Sequence, residues 1–175
     1  MTASLLSLDF DGVLHRGSDA VMLNFRTNAP AWEIEIALRA QKRFAWAPLL
    51  LPLLDGTDVA VIVHSTWRKR FDDTMFKNFL PQEIAERLIC LDGQIQGRET
   101  LSSDEYIAQA VDIINPKSLC VVDDRPAFFE TGHVSSWLAK NHGQFVWCNA
   151  DVGVLDVGVR EQIRSWAQHG NGSKS

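Results

Sequence analysis

Four short apolar runs, each closed by polar residues, punctuate the chain: Leu5–Leu8, Val59–Val63, Leu119–Val122 and Phe145–Trp147. Rich in Val, Ile and Leu and lacking strict polar alternation, they predict strands buried on both faces, as in a parallel sheet. Leu88–Leu91 is a weaker fifth run. Helical periodicity runs between them over Trp67–Phe79, Gln82–Arg87, Ser103–Ile114, Ser135–Asn141 and Val159–Gln168, and Ser102-Ser103-Asp104-Glu105 is a capping signal for the third. Strands alternating with helices predict an α/β fold built on a doubly wound parallel sheet. Ligands bind such sheets outside the carboxyl ends of the strands. Those ends carry Asp9, the group His64-Ser65-Thr66 and the pair Asp123-Asp124, so three polar clusters are expected to converge.

Residues 15–44 fit no single period. Trp32-Glu33-Ile34-Glu35-Ile36 alternates as a strand does, whereas Ala37–Arg43 suits a helix, and the whole interval reads as a flap-like excursion over the sheet. One domain is expected over residues 1–169, followed by a Gly/Ser-rich tail over 170–175.

Composition narrows the choice of function. The chain has 175 residues, 46% of them hydrophobic and 22% charged, which suits one globular core. A formal charge of −5 excludes the broad basic field of a non-specific nucleic-acid binder and leaves room only for a local basic groove. Cys90, Cys120 and Cys148 are widely separated, and two lie in apolar runs, which reads as buried inert thiols and not as a disulfide framework or zinc knuckle. Neither the start of the chain nor Leu49–Leu54 is a long enough apolar stretch for a signal-peptide core or a membrane span, so a cytoplasmic protein with no membrane partner is expected.

The candidate chemistry lies at the strand ends. Asp9-Phe10-Asp11-Gly12 puts two carboxylates beside a glycine that lets the backbone turn sharply, something core formation does not require. Taken alone, this pattern serves a turn or cap equally well, and it lacks the remaining ligands of a Ca²⁺ loop. The second acidic site, Cys120-Val121-Val122-Asp123-Asp124-Arg125-Pro126, again ends an apolar strand in paired carboxylates. Crowded carboxylates raise one another's pKa unless a cation lies among them, and hard oxygen donors suit Mg²⁺.

Leu8–Leu14, then Val63–Arg68, then Val121–Asp124, in this order, resemble the haloacid dehalogenase (HAD) superfamily of phosphohydrolases. Ser65-Thr66-Trp67-Arg68 and Asp123–Phe129 look more narrowly like the small HAD domains of Swiss-army-knife RNA repair proteins. The resemblance implies a Rossmann-like core with a minimal cap or none. It makes Asp9 the nucleophile that forms an aspartyl-phosphate and Asp11 the general acid and base. The Asp9 carboxylate, the Asp11 carbonyl and one or both of Asp123 and Asp124 become the Mg²⁺ ligands. Ser65, with Thr66 as the alternate, would hydrogen-bond the phosphoryl group, and either could also cap the next helix. The family's usual lysine has no clear match. Lys117 sits at the start of its strand, and Arg98, ahead of the helix, is better placed to stabilise the phosphoryl charge. Arg68 and Arg125 are candidates for binding substrate. His15 and His64 read as structural and the tryptophans as core, with Trp32 and Trp67 the two to watch.

The expected activity is Mg²⁺-dependent phosphate-ester hydrolysis, with a nucleic-acid end or another large phosphorylated molecule as substrate, because neither interval has room for a full cap. Two competing classes are a phospho-accepting switch, whose acidic pair should lie near the chain start, and an inactive HAD-like binding module, favoured by the missing lysine.

Overall fold

The computed structural model describes residues 3–17, 29–40, 43–129, 132–141 and 143–170. Its centre is a four-stranded, all-parallel sheet of β1 (Ser4–Leu8), β2 (Ala60–Val63), β3 (Ser118–Asp123) and β4 (Gln144–Trp147), in the order β2-β1-β3-β4. Strand alternation splits the apolar runs between two cores. Leu6, Leu8, Val61, Val63, Cys120 and Val122 face one, while Leu5, Ile62, Leu119 and Val121 face the other. Both faces are therefore buried over β1–β3, which is why these strands read as continuous apolar runs, whereas β4 at the sheet edge is only part-buried and its Trp147 is exposed, against expectation. Leu88 contributes only an isolated bridge to Val61, so the weaker fifth run is not a strand.

The helices are α1 (Ala31–Ala40), α2 (Leu51–Leu54), α3 (Asp73–Phe79), α4 (Gln82–Ala85), α5 (Ser103–Ile114), α6 (His133–Lys140) and α7 (Val157–Gly170). Ile34 and Leu38 of α1 join the first core with Ile163 and Trp166 of α7, and Tyr106, Ile107 and Val111 of α5 join the second with Val134 and Leu138 of α6. The chain moves from β1 to β2 on one side, then crosses to β3 on the other. This reversal opens a crevice at the carboxyl ends of β1 and β3, the place where such sheets bind ligands.

Helix α5 starts where its capping box dictates: the Ser102 hydroxyl accepts from the Glu105 N–H at 3.2 Å, and the Glu105 carboxylate accepts from the Ser102 N–H at 2.8 Å. Asp104, in the first turn of the same element, caps α6 by accepting from the His133 and Val134 N–H groups at 2.9 and 3.0 Å. The helix predicted over Trp67–Phe79 is divided. Thr66–Lys69 forms a 3₁₀ turn, and α3 begins after Asp72, whose side chain accepts from the Met75 N–H at 2.7 Å. A local N-cap overrides the continuous apolar period.

The strand-like alternation at Trp32–Ile36 is also helical. Ile34 and Leu38 are buried at i, i+4 spacing, whereas Trp32 and Ile36 point outward at 63% and 61% exposure, so apolar residues on both helix faces imitate a period of two. Of the predicted flap, residues 18–28, 41 and 42 lie outside the described residues, as do tail residues 171–175. Among the described residues, the interval between β1 and β2 holds α1 and α2 and no second sheet, consistent with a core lacking a large cap. No helix among them is long and apolar enough to cross a membrane.

Candidate active site

Strand register brings the acidic residues together. Leu8 pairs with Val122 and Val63, the Asp9 N–H donates to the Val122 carbonyl at 3.0 Å, and the His64 N–H donates to the Leu8 carbonyl at 3.0 Å. The three strands thus end level, and carboxylate oxygens of Asp9, Asp123 and Asp124 lie within 4.8 Å of one another. Gly12 makes this approach possible. Its φ is +74°, and a Cβ there would stand 2.3 Å from the Asp124 Oδ2.

Each carboxylate is held differently. Asp9 accepts from the Phe10 N–H at 2.7 Å, and the Ser65 hydroxyl is near enough to favour its charged form. Burial pushes its pKa up to about 6 from an ordinary 3.8; attraction to His64 opposes the shift and repulsion from Asp123 adds to it. Asp123 accepts from the Arg125 N–H at 2.6 Å through Oδ1, and its Oδ2 pairs with His64 Nε2 at 2.9 Å. The other His64 nitrogen pairs with the Ser7 hydroxyl at 2.8 Å, giving a buried chain Ser7–His64–Asp123 beneath the site. Desolvation raises the Asp124 pKa; attraction to Arg125 opposes the shift, and repulsion from Asp123 and Asp11 adds to it. Its side chain is 7% exposed, and its Oδ1 has no hydrogen-bond partner, Arg125 Nε standing 3.6 Å away.

A buried acceptor left without a hydrogen bond among three crowded carboxylates is the environment a hard divalent cation satisfies. The donor set therefore fits Mg²⁺. Asp9, Asp123 and Asp124 could contribute carboxylate ligands, and the Asp11 carbonyl could join them.

The Asp11 carboxylate stands apart from this trio. His15 Nε2 donates to its Oδ1 at 2.7 Å, and the Trp67 indole N–H donates to its Oδ2 at 2.9 Å. Burial alone would raise this carboxyl, but those two bonds, with the attraction of His15 and Arg43, hold it below the usual carboxylate range. Ser65 is buried at the end of β2 and caps the 3₁₀ turn, its Oγ accepting from the Trp67 N–H at 3.5 Å, while Thr66 is exposed on that turn.

Of the predicted cations, Arg98 and Arg68 are placed differently from expectation. Arg98 reaches Asp73 at 3.0 Å and also pairs with Asp92, bracing the loop after Leu91 against α3. It is committed to that brace and not to the phosphoryl position. Lys117 pairs with Asp58 at 3.0 Å before β3 begins. A six-residue strand puts it roughly 20 Å from the carboxylate end. Arg68 is not a rim residue: it is buried, its guanidinium donates to the carbonyls of His64 and Ser65 at 2.8 and 3.1 Å and to that of Leu101, and it lies over the Tyr106 ring. Desolvation lowers its pKa, and attraction to Asp9 is a lesser, opposing influence. Arg125 is exposed beside Asp124.

Sequence reasoning read two residues that touch the site, His64 and His15, as structural, and marked Trp67 only as one to watch. A signal for His64 was present in β1, where Ser7 interrupts an apolar run on the buried face that His64 also occupies, so each required a polar partner. No match was found among curated proteins or among solved structures. The family model described as the HAD domain in Swiss Army Knife RNA repair proteins matches residues 5–159, which take in all of the sheet but Ser4 and every carboxylate of the cluster. The chain thus belongs to this HAD domain family.

Proposed function

We propose that the chain is a Mg²⁺-dependent phosphohydrolase that works through an aspartyl-phosphate on Asp9. The observation that carries this reading is the meeting of the Asp9–Asp123–Asp124 cluster with the Ser65 hydroxyl and a separately held Asp11 at one sheet edge. An Asp9 oxygen attacks phosphorus, the bond from phosphorus to the leaving oxygen breaks, and the departing oxygen takes its proton from Asp11. Water then gives a proton to Asp11 and attacks phosphorus, releasing phosphate and restoring both carboxyl groups. Ser65 would hold a phosphoryl oxygen, and the Arg68 charge would support the site from behind. A bound Mg²⁺ would offset repulsion between the carboxylates and the phosphoryl oxygens and polarise the ester.

A nucleic-acid end is the favoured substrate, supported by the RNA-repair setting in the family description and by the exposed Arg125 beside the cluster. The reading of an inactive binding module gains some support from the engagement of Arg98 and Lys117 elsewhere. A phosphatase screen over small phosphate esters and 5′- and 3′-phosphorylated oligonucleotides, with Mg²⁺ and with chelator, separates the two. Chelator-sensitive phosphate release supports the enzyme. Oligonucleotide binding without release supports the module.

A further inference from the structure

We propose that His15 and Trp67 are positioning residues for the reaction, a two-sided clamp that fixes the Asp11 carboxylate in the orientation from which it exchanges protons with the leaving oxygen and with water. The inference rests on the reading of Asp11 as acid and base.

The two donors come from different strand ends and take one oxygen each, His15 at 2.7 Å and Trp67 at 2.9 Å. Two such bonds remove rotation about the carboxyl group and leave each oxygen a second lone pair for a transferring proton. The clamp is itself held firmly. The Gly12 N–H donates to the His15 carbonyl at 2.9 Å, closing the turn that carries both Asp11 and His15. The Trp67 backbone N–H reaches back to the Ser65 hydroxyl at 3.5 Å, so the residue that carries the indole is anchored beside the proposed phosphoryl-binding group. Rings of Phe10 and Phe44 pack around the pair: Phe44 lies 5.3 Å from both His15 and Trp67, and Phe10 lies 5.9 Å from Trp67.

Phe44 reaches this place with φ at +58°, a left-handed conformation disfavoured for an aromatic residue by about 1–2 kcal/mol. Such strain persists where surrounding structure requires it, and here it completes the wall behind the clamp. The Asp11 carboxylate keeps 13% exposure while His15 keeps 3%, so the imidazole lies on the inner side of the acid.

The test compares kcat/KM for an alkyl phosphate, whose leaving oxygen needs a proton, with that for p-nitrophenyl phosphate, whose leaving group needs almost none. Trp67→Phe removes the indole N–H and keeps a ring. His15→Ala removes the other donor, and His15→Gln restores an N–H. Both donor-removing variants should lose about 10–100-fold on the alkyl ester and no more than about threefold on the aryl ester, with partial recovery in His15→Gln. Equal losses on both esters would overturn the clamp, since a merely structural role lowers both alike. If the wild type hydrolyses neither ester nor any oligonucleotide, the functional reading fails by itself, and the clamp is then judged by NMR. A downfield, slowly exchanging Trp67 indole proton that moves upfield in Asp11→Asn supports it, and an indole proton unaffected by that substitution overturns it.

Discussion

Asp9→Asn should make the metal-free protein more stable at neutral pH, against the usual direction for a buried polar substitution. The carboxyl of Asp9 is raised from 3.8 to about 6, chiefly by burial. A carboxyl that holds its proton more tightly when folded imposes no penalty below pH 3.8. The penalty grows as pH rises through the window to about 6 and is complete above it. At 1.36 kcal/mol per pKa unit, this shift corresponds to about 3 kcal/mol of lost stability at pH 7.5. Asparagine carries no charge at any pH and keeps an oxygen to accept from the Phe10 N–H, so it escapes most of the penalty.

The expected gain is roughly 1–3 kcal/mol, or about 3–10 °C in Tm for a chain of this size. The assay is thermal and urea unfolding of both proteins at pH 4 and pH 7.5, with chelator and with Mg²⁺. The variant should lead at pH 7.5 in chelator and lose that lead at pH 4. Mg²⁺ should narrow it by binding the wild type more tightly. A variant no more stable than wild type in chelator at pH 7.5, or one whose lead is the same at both pH values, would refute the reasoning.

Three further substitutions test the remaining geometry. Gly12→Ala puts a Cβ against Asp124 at φ +74°, so it should cost about 1–2 kcal/mol from backbone conformation alone and weaken Mg²⁺ binding measured by calorimetry; unchanged affinity would contradict the close approach. Arg98→Ala should destabilise by about 3–5 kcal/mol in urea unfolding, because it leaves Asp73 buried without its partner; a well-folded variant with only turnover lost would return Arg98 to the site. Lys117→Ala breaks a part-exposed pair and should change stability by less than about 1 kcal/mol, with turnover intact.

The strands and the acidic cluster were legible because both are local signals. Apolar runs of three to five residues mark the strands, and a carboxylate that ends such a run has little structural reason to be there. Level ends for β1, β2 and β3 follow from a parallel sheet, so Asp9, Ser65 and Asp123 could be gathered without coordinates. Cation assignments were not legible, because Arg98 finds its partners in Asp73 and Asp92, residues whose loops no short-range pattern connects. Arg68 was misplaced for a related reason. Its side chain turns inward under the 3₁₀ segment to bond carbonyls of His64, Ser65 and Leu101, and backbone acceptors leave no mark in a sequence. His15 likewise looked dispensable, since its bond to Asp11 depends on the turn at Gly12 bringing the two residues face to face.

The central claim is that Asp9 accepts a phosphoryl group, and acid-quench trapping followed by peptide mapping tests it most directly. Incubated with Mg²⁺ and a phosphorylated substrate found in the screen, then quenched in acid, the wild type should carry an acid-stable, hydroxylamine-sensitive phosphate on the peptide containing Asp9. Chelator and Asp9→Asn should each abolish it. Undiminished Mg²⁺-dependent phosphate release by purified Asp9→Asn, or a phosphate mapped to another residue, would contradict the account.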